Sequence, residues 1–290
     1  MTDILGPAGL PARKCGAYVE TKLGWLGDYL ESALGATSSK IDRVYVDPFA
    51  GPGMSFDEST GRIFPSGALR AVTARGPGKA GKSFTEARLV NVDSASTAAL
   101  AARIELLPTT AVPQSGISLR TADSNLVIES LVSDIDPRAY VFVFADPESP
   151  SQLPFETLRR MRSLGHRSMD LYLLFPWGMG IRRLLSYKEL TPEAINVVDA
   201  FYGTEAWRTI YEDHPTSASR RQRSLRLREL YMQQLRGLGW SSVREAAAVN
   251  LSGERNLYWM LFATSSDVGN RIAGGVTRAR TNRVGQGEFF

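Results

Sequence analysis

The chain has 290 residues, 43% of them hydrophobic and 22% charged, with 34 Lys+Arg against 30 Asp+Glu. This composition excludes an intrinsically disordered protein, and the length suits two domains or one elaborated α/β domain. The single cysteine, Cys15, excludes a disulfide framework, a CxxC pair, a thiolate zinc cage or an iron–sulfur cluster built by this chain alone.

Residues 1–16 carry Gly6, Pro7, Gly9, Pro11 and Gly16 and read as an irregular arm. From Ala17 to Ala36, Leu23, Leu26, Tyr29, Leu30 and Leu34 fall at helical spacing. Arg43 to Asp47 is a short strand that stops on an acid and enters the loop FAGPG. After an insertion from Met54 to Pro65, Ser66 stands where it can cap a helix through Ala68 to Arg75.

The alternation then repeats. Ala87 to Asp93 is a strand ending on an acid, followed by a helix over Ser94 to Leu107. Gly116 to Ala122 leads to Asp123 and a helix over Leu126 to Val132. Ala139 to Ala145 is continuously apolar and ends at Asp146-Pro147; Phe155 to Leu164 is helical, and Met169 to Phe175 is a fifth strand. Apolar runs without polar alternation, separated by helices, predict a doubly wound, mostly parallel α/β sheet covered on both faces.

Leu190 to Leu238 is helical and charged, inside an insertion at 182–238, with a basic face of Arg220, Arg221, Arg223 and Arg228. Ser242 to Asn250 and Asn256 to Thr264 predict a hairpin, Asp267 to Val276 a last helix, and 277–290 a polar tail beyond the domain at 17–276. His166 and His214 read as surface or loop residues, and no metal site is expected. The longest mostly apolar run, Leu171 to Ile181, is too short to span a bilayer, and no secretion signal opens the chain. A cytoplasmic protein is expected.

Ligands of such sheets lie at the carboxyl ends of the strands, where Asp47, Asp93, Asp123 and Asp146 recur in order. Gly51 and Gly53 let backbone approach a ligand. An acid after the second strand suits two ribose hydroxyls, and one after the third suits an adenine amino group. The loop lacks GxGxxG, so pyrophosphate fits poorly there. S-adenosylmethionine, cationic and without phosphate, suits the acids better. The candidate cofactor site is Lys22, Asp47, Phe49, Ala50, Gly51, Gly53, Ser66, Asp93, Ser94, Asp123, Ser124 and Asp146. Asp93 and Asp123 serve equally well as helix N-caps. Asp146 and Glu148 are the candidate catalytic acids. Phe155 and Trp177 are candidate stacking surfaces for a planar substrate, and Arg182 and Arg183 would hold an anionic one, nucleic acid or an acidic metabolite.

Several segments resemble one family. They are Lys22-Leu23, Tyr29-Leu30, YVDPFAGPG at 45–53, PSGALRA at 65–71, FADP at 144–147, DLYLLFPWGM at 170–179 and NLYWMLFAT at 256–264. Together they are similar to the three-Cys-motif partner proteins, a bacterial group related to class I methyltransferases. The resemblance implies a Rossmann-like methyltransferase fold with a C-terminal antiparallel hairpin, S-adenosylmethionine as cofactor, and a neighbouring three-cysteine-motif protein as partner. The sequence departs from amino-directed nucleic-acid methyltransferases at Asp146-Pro147-Glu148-Ser149, where they carry Asp/Asn-Pro-Pro-aromatic. That departure argues against base N-methylation by their route. A non-catalytic partner protein is the alternative reading.

Overall fold

The structure, a computed structural model, describes residues 3–6, 9–16, 18–78, 81–113, 115–186, 190–213, 220–251 and 255–285. His214 lies outside the described residues. The chain opens with strands β1 (Asp3–Leu5) and β2 (Pro11–Cys15), then helix α1 (Tyr18–Ala36). Strand β3 (Arg43–Asp47) follows, and a hairpin of β4 (Met54–Asp57) and β5 (Ile63–Pro65) fills the insertion before α2 (Gly67–Thr73). Next come β6 (Glu86–Asn91), α3 (Ser94–Glu105), β7 (Ile117–Thr121) and α4 (Ser124–Val127). After these lie β8 (Tyr140–Ala145), α5 (Phe155–Ser163) and β9 (Ser168–Phe175). Helices α6 (Arg182–Leu184), α7 (Pro192–Tyr202), α8 (Trp207–Glu212) and α9 (Arg220–Gly237) occupy the insertion. The hairpin β10 (Ser242–Leu251) and β11 (Arg255–Thr264) leads to α10 (Asp267–Gly285).

Among the described residues the main sheet has the order β10-β11-β9-β8-β3-β6-β7. Strands β7, β6, β3, β8 and β9 are parallel, whereas β11 runs antiparallel to both β9 and β10. This is the expected doubly wound Rossmann-like sheet with its C-terminal hairpin.

The parallel strands β3, β6, β8 and β9 are buried on both faces, while β7 at the sheet edge is partly exposed, and the buried residues divide by the two-residue period of a strand. Val44, Val46, Val141, Val143, Leu171 and Leu173 join one core with α5, α7 and α9. Tyr45, Phe142, Phe144, Tyr172 and Leu174 face the other way and join the core under α1, α2 and α10. Helix α1 is seated on this aromatic face. Trp25 stacks on Tyr172 with ring centroids 4.4 Å apart, and the Tyr29 hydroxyl donates to the buried Asp170 at 2.6 Å. No helix among the described residues is long and apolar enough to cross a membrane.

Four expectations are corrected. The arm at 1–16 is not irregular: β1 pairs antiparallel with β2, and β2 pairs parallel with β4, making a four-stranded sheet β1-β2-β4-β5. The tail is helical to Gly285, because the Trp25 indole donates to Thr277 Oγ1 and Arg280 pairs with Asp28, holding the helix against α1. His166 lies in the loop before β9 but is buried there and not at the surface, its Nε2 2.8 Å from the Val132 carbonyl oxygen. The helix expected over Leu126 to Val132 is shortened to α4, and the turns beyond it carry Ile128, Leu131 and Val132 into the core.

Candidate functional site

Because five strands run parallel, the residues that follow them gather along one edge of the sheet. A two-lobed cleft opens there. Its outer lobe, about 1160 Å³ counted out into open solvent, lies over the ends of β3, β6 and β7, and its inner lobe, about 670 Å³ on the same count, runs beneath α1. Arg13, Phe49, Gly51, Pro52, Asp146 and Glu148 line both lobes and make them one groove.

The turn after β3 is built for close approach. Gly51 and Gly53 have φ of 64° and 94°, conformations that a side chain would strain. Gly51 lines the cleft, while Gly53 does not: a Cβ there would come 2.9 Å from Leu100, so this glycine serves packing. Asp47 is buried at the end of β3. Its carboxylate accepts from the Phe49 N–H at 3.0 Å and from the Tyr45 hydroxyl at 2.9 Å. Burial nevertheless dominates these bonds and pushes the Asp47 carboxyl up to about 7. Ala50 and Ser66 line the inner lobe, and the Ser66 hydroxyl, shielded from solvent, has no partner among the described residues.

In the outer lobe Asp93 and Asp123 are exposed at the ends of β6 and β7. Both also cap helices, Asp93 accepting from the Ser96 N–H at 2.8 Å and Asp123 from the Asn125 N–H at 2.9 Å. Some burial raises the Asp93 carboxyl, but the bonds from Ser96 outweigh it and hold the group below the usual range. Ser124 lines this lobe, with its hydroxyl donating to the Pro48 carbonyl. Ser94 is exposed and lines neither lobe, so its assignment is withdrawn.

Acids and cations meet between the lobes. Lys22 Nζ lies 2.5 Å from Asp146 Oδ2, with side-chain exposures of 7% and 13%. Arg13, from β2, is paired with Glu148, whose own N–H donates to Gln152 Oε1 at 2.6 Å. Arg103 of α3 ties this region together: its guanidinium donates to the carbonyls of Leu10 at 3.2 Å, Pro11 at 2.6 Å and Pro52 at 2.5 Å. The arm and the glycine turn are thereby clamped to one helix. Cys15 also lines the inner lobe, and burial, with Asp57 nearby, pushes its thiol up to about 11. Among the described residues no three His, Cys, Asp or Glu side chains gather as a metal site.

The expected substrate residues fall elsewhere. Phe155 is a core residue set edge-on to Tyr231, and Trp177 packs against Trp259; neither lines the cleft. Their apolar faces are consumed by the helices of the insertion. Arg182 and Arg183 are exposed on the α6 turn, beyond the carboxyl end of β9, and line neither lobe. The basic face of α9 is partly spent internally, since Arg228 pairs with Glu245 and the Arg223 guanidinium lies 4.9 Å over the Tyr211 ring. Conversely, Arg13, Cys15, Tyr18, Asn91, Gln152 and Tyr258 line the cleft without any local sequence pattern pointing to them.

No protein-family model and no curated protein matches the chain. Among solved structures, a DUF519-family protein from Legionella pneumophila matches with a TM-score of 0.51 at 11% identity, covering 87% of this chain and 86% of its own. Trm1 from Pyrococcus horikoshii, in complex with S-adenosyl-L-methionine, has a TM-score of 0.45 at 10% identity, covering 94% and 64%. A putative rRNA methylase from Clostridium thermocellum has a TM-score of 0.35 at 10% identity, covering 80% and 94%. The likeness to the Legionella protein is one of fold.

Proposed function

We propose that the protein is a methyltransferase that uses S-adenosylmethionine. The observation that carries this reading is the single groove in which a glycine turn and four strand-end acids, Asp47, Asp93, Asp123 and Asp146, face one ligand-sized space. A pyrophosphate would meet these four acids with Arg13, Lys14 and Lys22 against them, all three already paired with carboxylates. A cationic sulfonium carrying one nucleoside meets complementary charge instead.

The residues fit that ligand. Asp93 would take the ribose hydroxyls and Asp123 the adenine amino group. The backbone at Gly51 and the unpartnered Ser66 hydroxyl would take polar atoms of the amino-acid end, while Asp47 supplies charge beneath it. S-adenosylmethionine, when bound, supplies an electrophilic methyl group. The protein's task is then to hold an acceptor in line with it, chiefly an effect of proximity. Asp146 and Glu148 line both lobes and are the acids placed to face an acceptor.

The test is calorimetric titration with S-adenosylmethionine and S-adenosylhomocysteine. Micromolar binding of both is expected. A folded sample that binds neither overturns the reading. It would favour a non-catalytic partner of a three-cysteine-motif protein, a role favoured also by the occupied carboxylates of Asp146 and Glu148.

A further inference from the structure

We propose that the protein has a second ligand site, at the sheet edge opposite the cleft. It takes a small zwitterion, with the ammonium on Asp170 and the carboxylate at Arg167 and Lys40.

A cavity of about 610 Å³, counted out into open solvent, opens where β8 and β9 begin. The end of α1, with Ala33 and Ala36, walls one side, and the start of α10, with Val268 and Ile272, walls another. The cleft lies at the carboxyl ends of these strands, and the two spaces share no lining residue. The methyltransferase reading makes no use of this cavity.

Among the described residues that line it, Asp170 is the one acid. It is 3% exposed, and hydroxyls alone hold its carboxylate. Tyr29 donates to Oδ2 at 2.6 Å, Tyr140 donates to the same oxygen at 2.9 Å, and Thr264 is a third donor. No cation among the described residues pairs with it. Three hydroxyls leave one of about four lone-pair sites open and bring no positive charge. Burial accordingly pushes the carboxyl up. An ammonium group supplies both the missing donor and the missing charge.

The rim has the opposite sign. Arg167 is exposed and has no ion pair among the described residues, and Lys40 spends its ammonium on the Arg138 carbonyl at 3.1 Å and not on a carboxylate. A simple amine would meet two like charges at this rim, and a simple carboxylate would meet Asp170 at the floor. A ligand that carries its ammonium inward and its carboxylate outward is matched at both ends. Gly269, also in the lining, keeps the floor open. A Cβ there would stand 2.8 Å from Thr264 Oγ1 and 3.4 Å from Asp170 Oδ1, over the carboxylate itself.

The test is saturation-transfer NMR and thermal denaturation of the full chain. The probes are the common α-amino acids and the ω-amino acids from β-alanine to ε-aminocaproate, each at millimolar concentration. At least one should bind and raise Tm, and its decarboxylated amine and its deaminated acid should each bind about tenfold or more weakly. Arg167→Ala should lower that affinity about tenfold, and Asp170→Asn about a hundredfold. If Asp170→Asn does not fold, Arg167→Ala, altered at an exposed side chain alone, decides the matter. Failure of every amino acid to bind overturns the proposal, as does an amine or acid that binds as well as its zwitterion. Affinity unchanged in Arg167→Ala overturns it too. So does binding that excess S-adenosylhomocysteine abolishes, which would place the amino acid in the cleft.

Discussion

Asp93→Ala should weaken S-adenosylhomocysteine binding by about a hundredfold or more, read by calorimetry. The carboxylate is exposed over the end of β6, accepts from the Ser96 N–H and lines the outer lobe. Two charge-assisted bonds to a ribose diol amount to about 3 kcal/mol, which is about two orders of magnitude in affinity. Because Asp93 also caps α3, the same variant should lose about 1 kcal/mol of stability. Asp93→Asn separates the two effects: it keeps a capping oxygen, so stability should hold while binding still falls. If Asp93→Ala binds as the wild type does, the outer lobe is not the nucleoside site.

The second large effect concerns Asp47. A carboxyl that titrates at about 7 in the folded chain and near 4 when unfolded binds its proton more tightly when folded. Its contribution is therefore greatest below about pH 4, declines as pH rises toward 7, and is flat above, where burying the charge costs roughly 4 kcal/mol. Asp47→Asn removes the titration. Its amide oxygen can still accept from the Phe49 N–H, and its NH₂ can donate to the Tyr45 hydroxyl, so the local bonds survive. Urea denaturation should show the variant gaining on the wild type as pH rises, by roughly 3 kcal/mol between pH 5 and pH 8. A constant difference across that range would mean that Asp47 is not a strained, buried charge. That this cost is retained beside the glycine turn is consistent with a carboxylate meant to meet a cation.

Much of the fold is legible because its strands are self-announcing. Runs such as Tyr140–Ala145 are apolar at every position, and only a sheet covered on both faces uses such runs. The strand-end acids are legible for a related reason: they interrupt those runs where the chain meets solvent. What the residues do not announce is partnership over distance. Pro11–Cys15 reads as coil because its partner, Met54–Asp57, lies beyond a helix and a strand, and the glycines and prolines around it look like loop punctuation. Arg13 and Cys15 were therefore invisible as cleft residues. Phe155 and Trp177 mislead in the opposite sense, since an aromatic in the stretch that follows a strand looks the same whether it faces a ligand or a covering helix. Here the insertion helices bring Phe201, Tyr202 and Tyr231 against that region and claim it for the core. The tail's helix likewise follows from tertiary bonds to Asp28 and Trp25 and not from its own polar sequence.

Helix α3 begins at the acid expected to grip the ribose and, ten residues or about 15 Å further on, carries the guanidinium that clasps the arm and the glycine turn. It is a strut with a ligand contact at one end and a latch at the other. Occupying the outer lobe would steady the whole rod, and the steadying would be felt at the start of β2, where the latch holds the carbonyls of Leu10 and Pro11. The amides of residues 12–15 should then exchange with deuterium more slowly when S-adenosylhomocysteine is bound, so a segment outside the main sheet becomes the reporter of its occupancy.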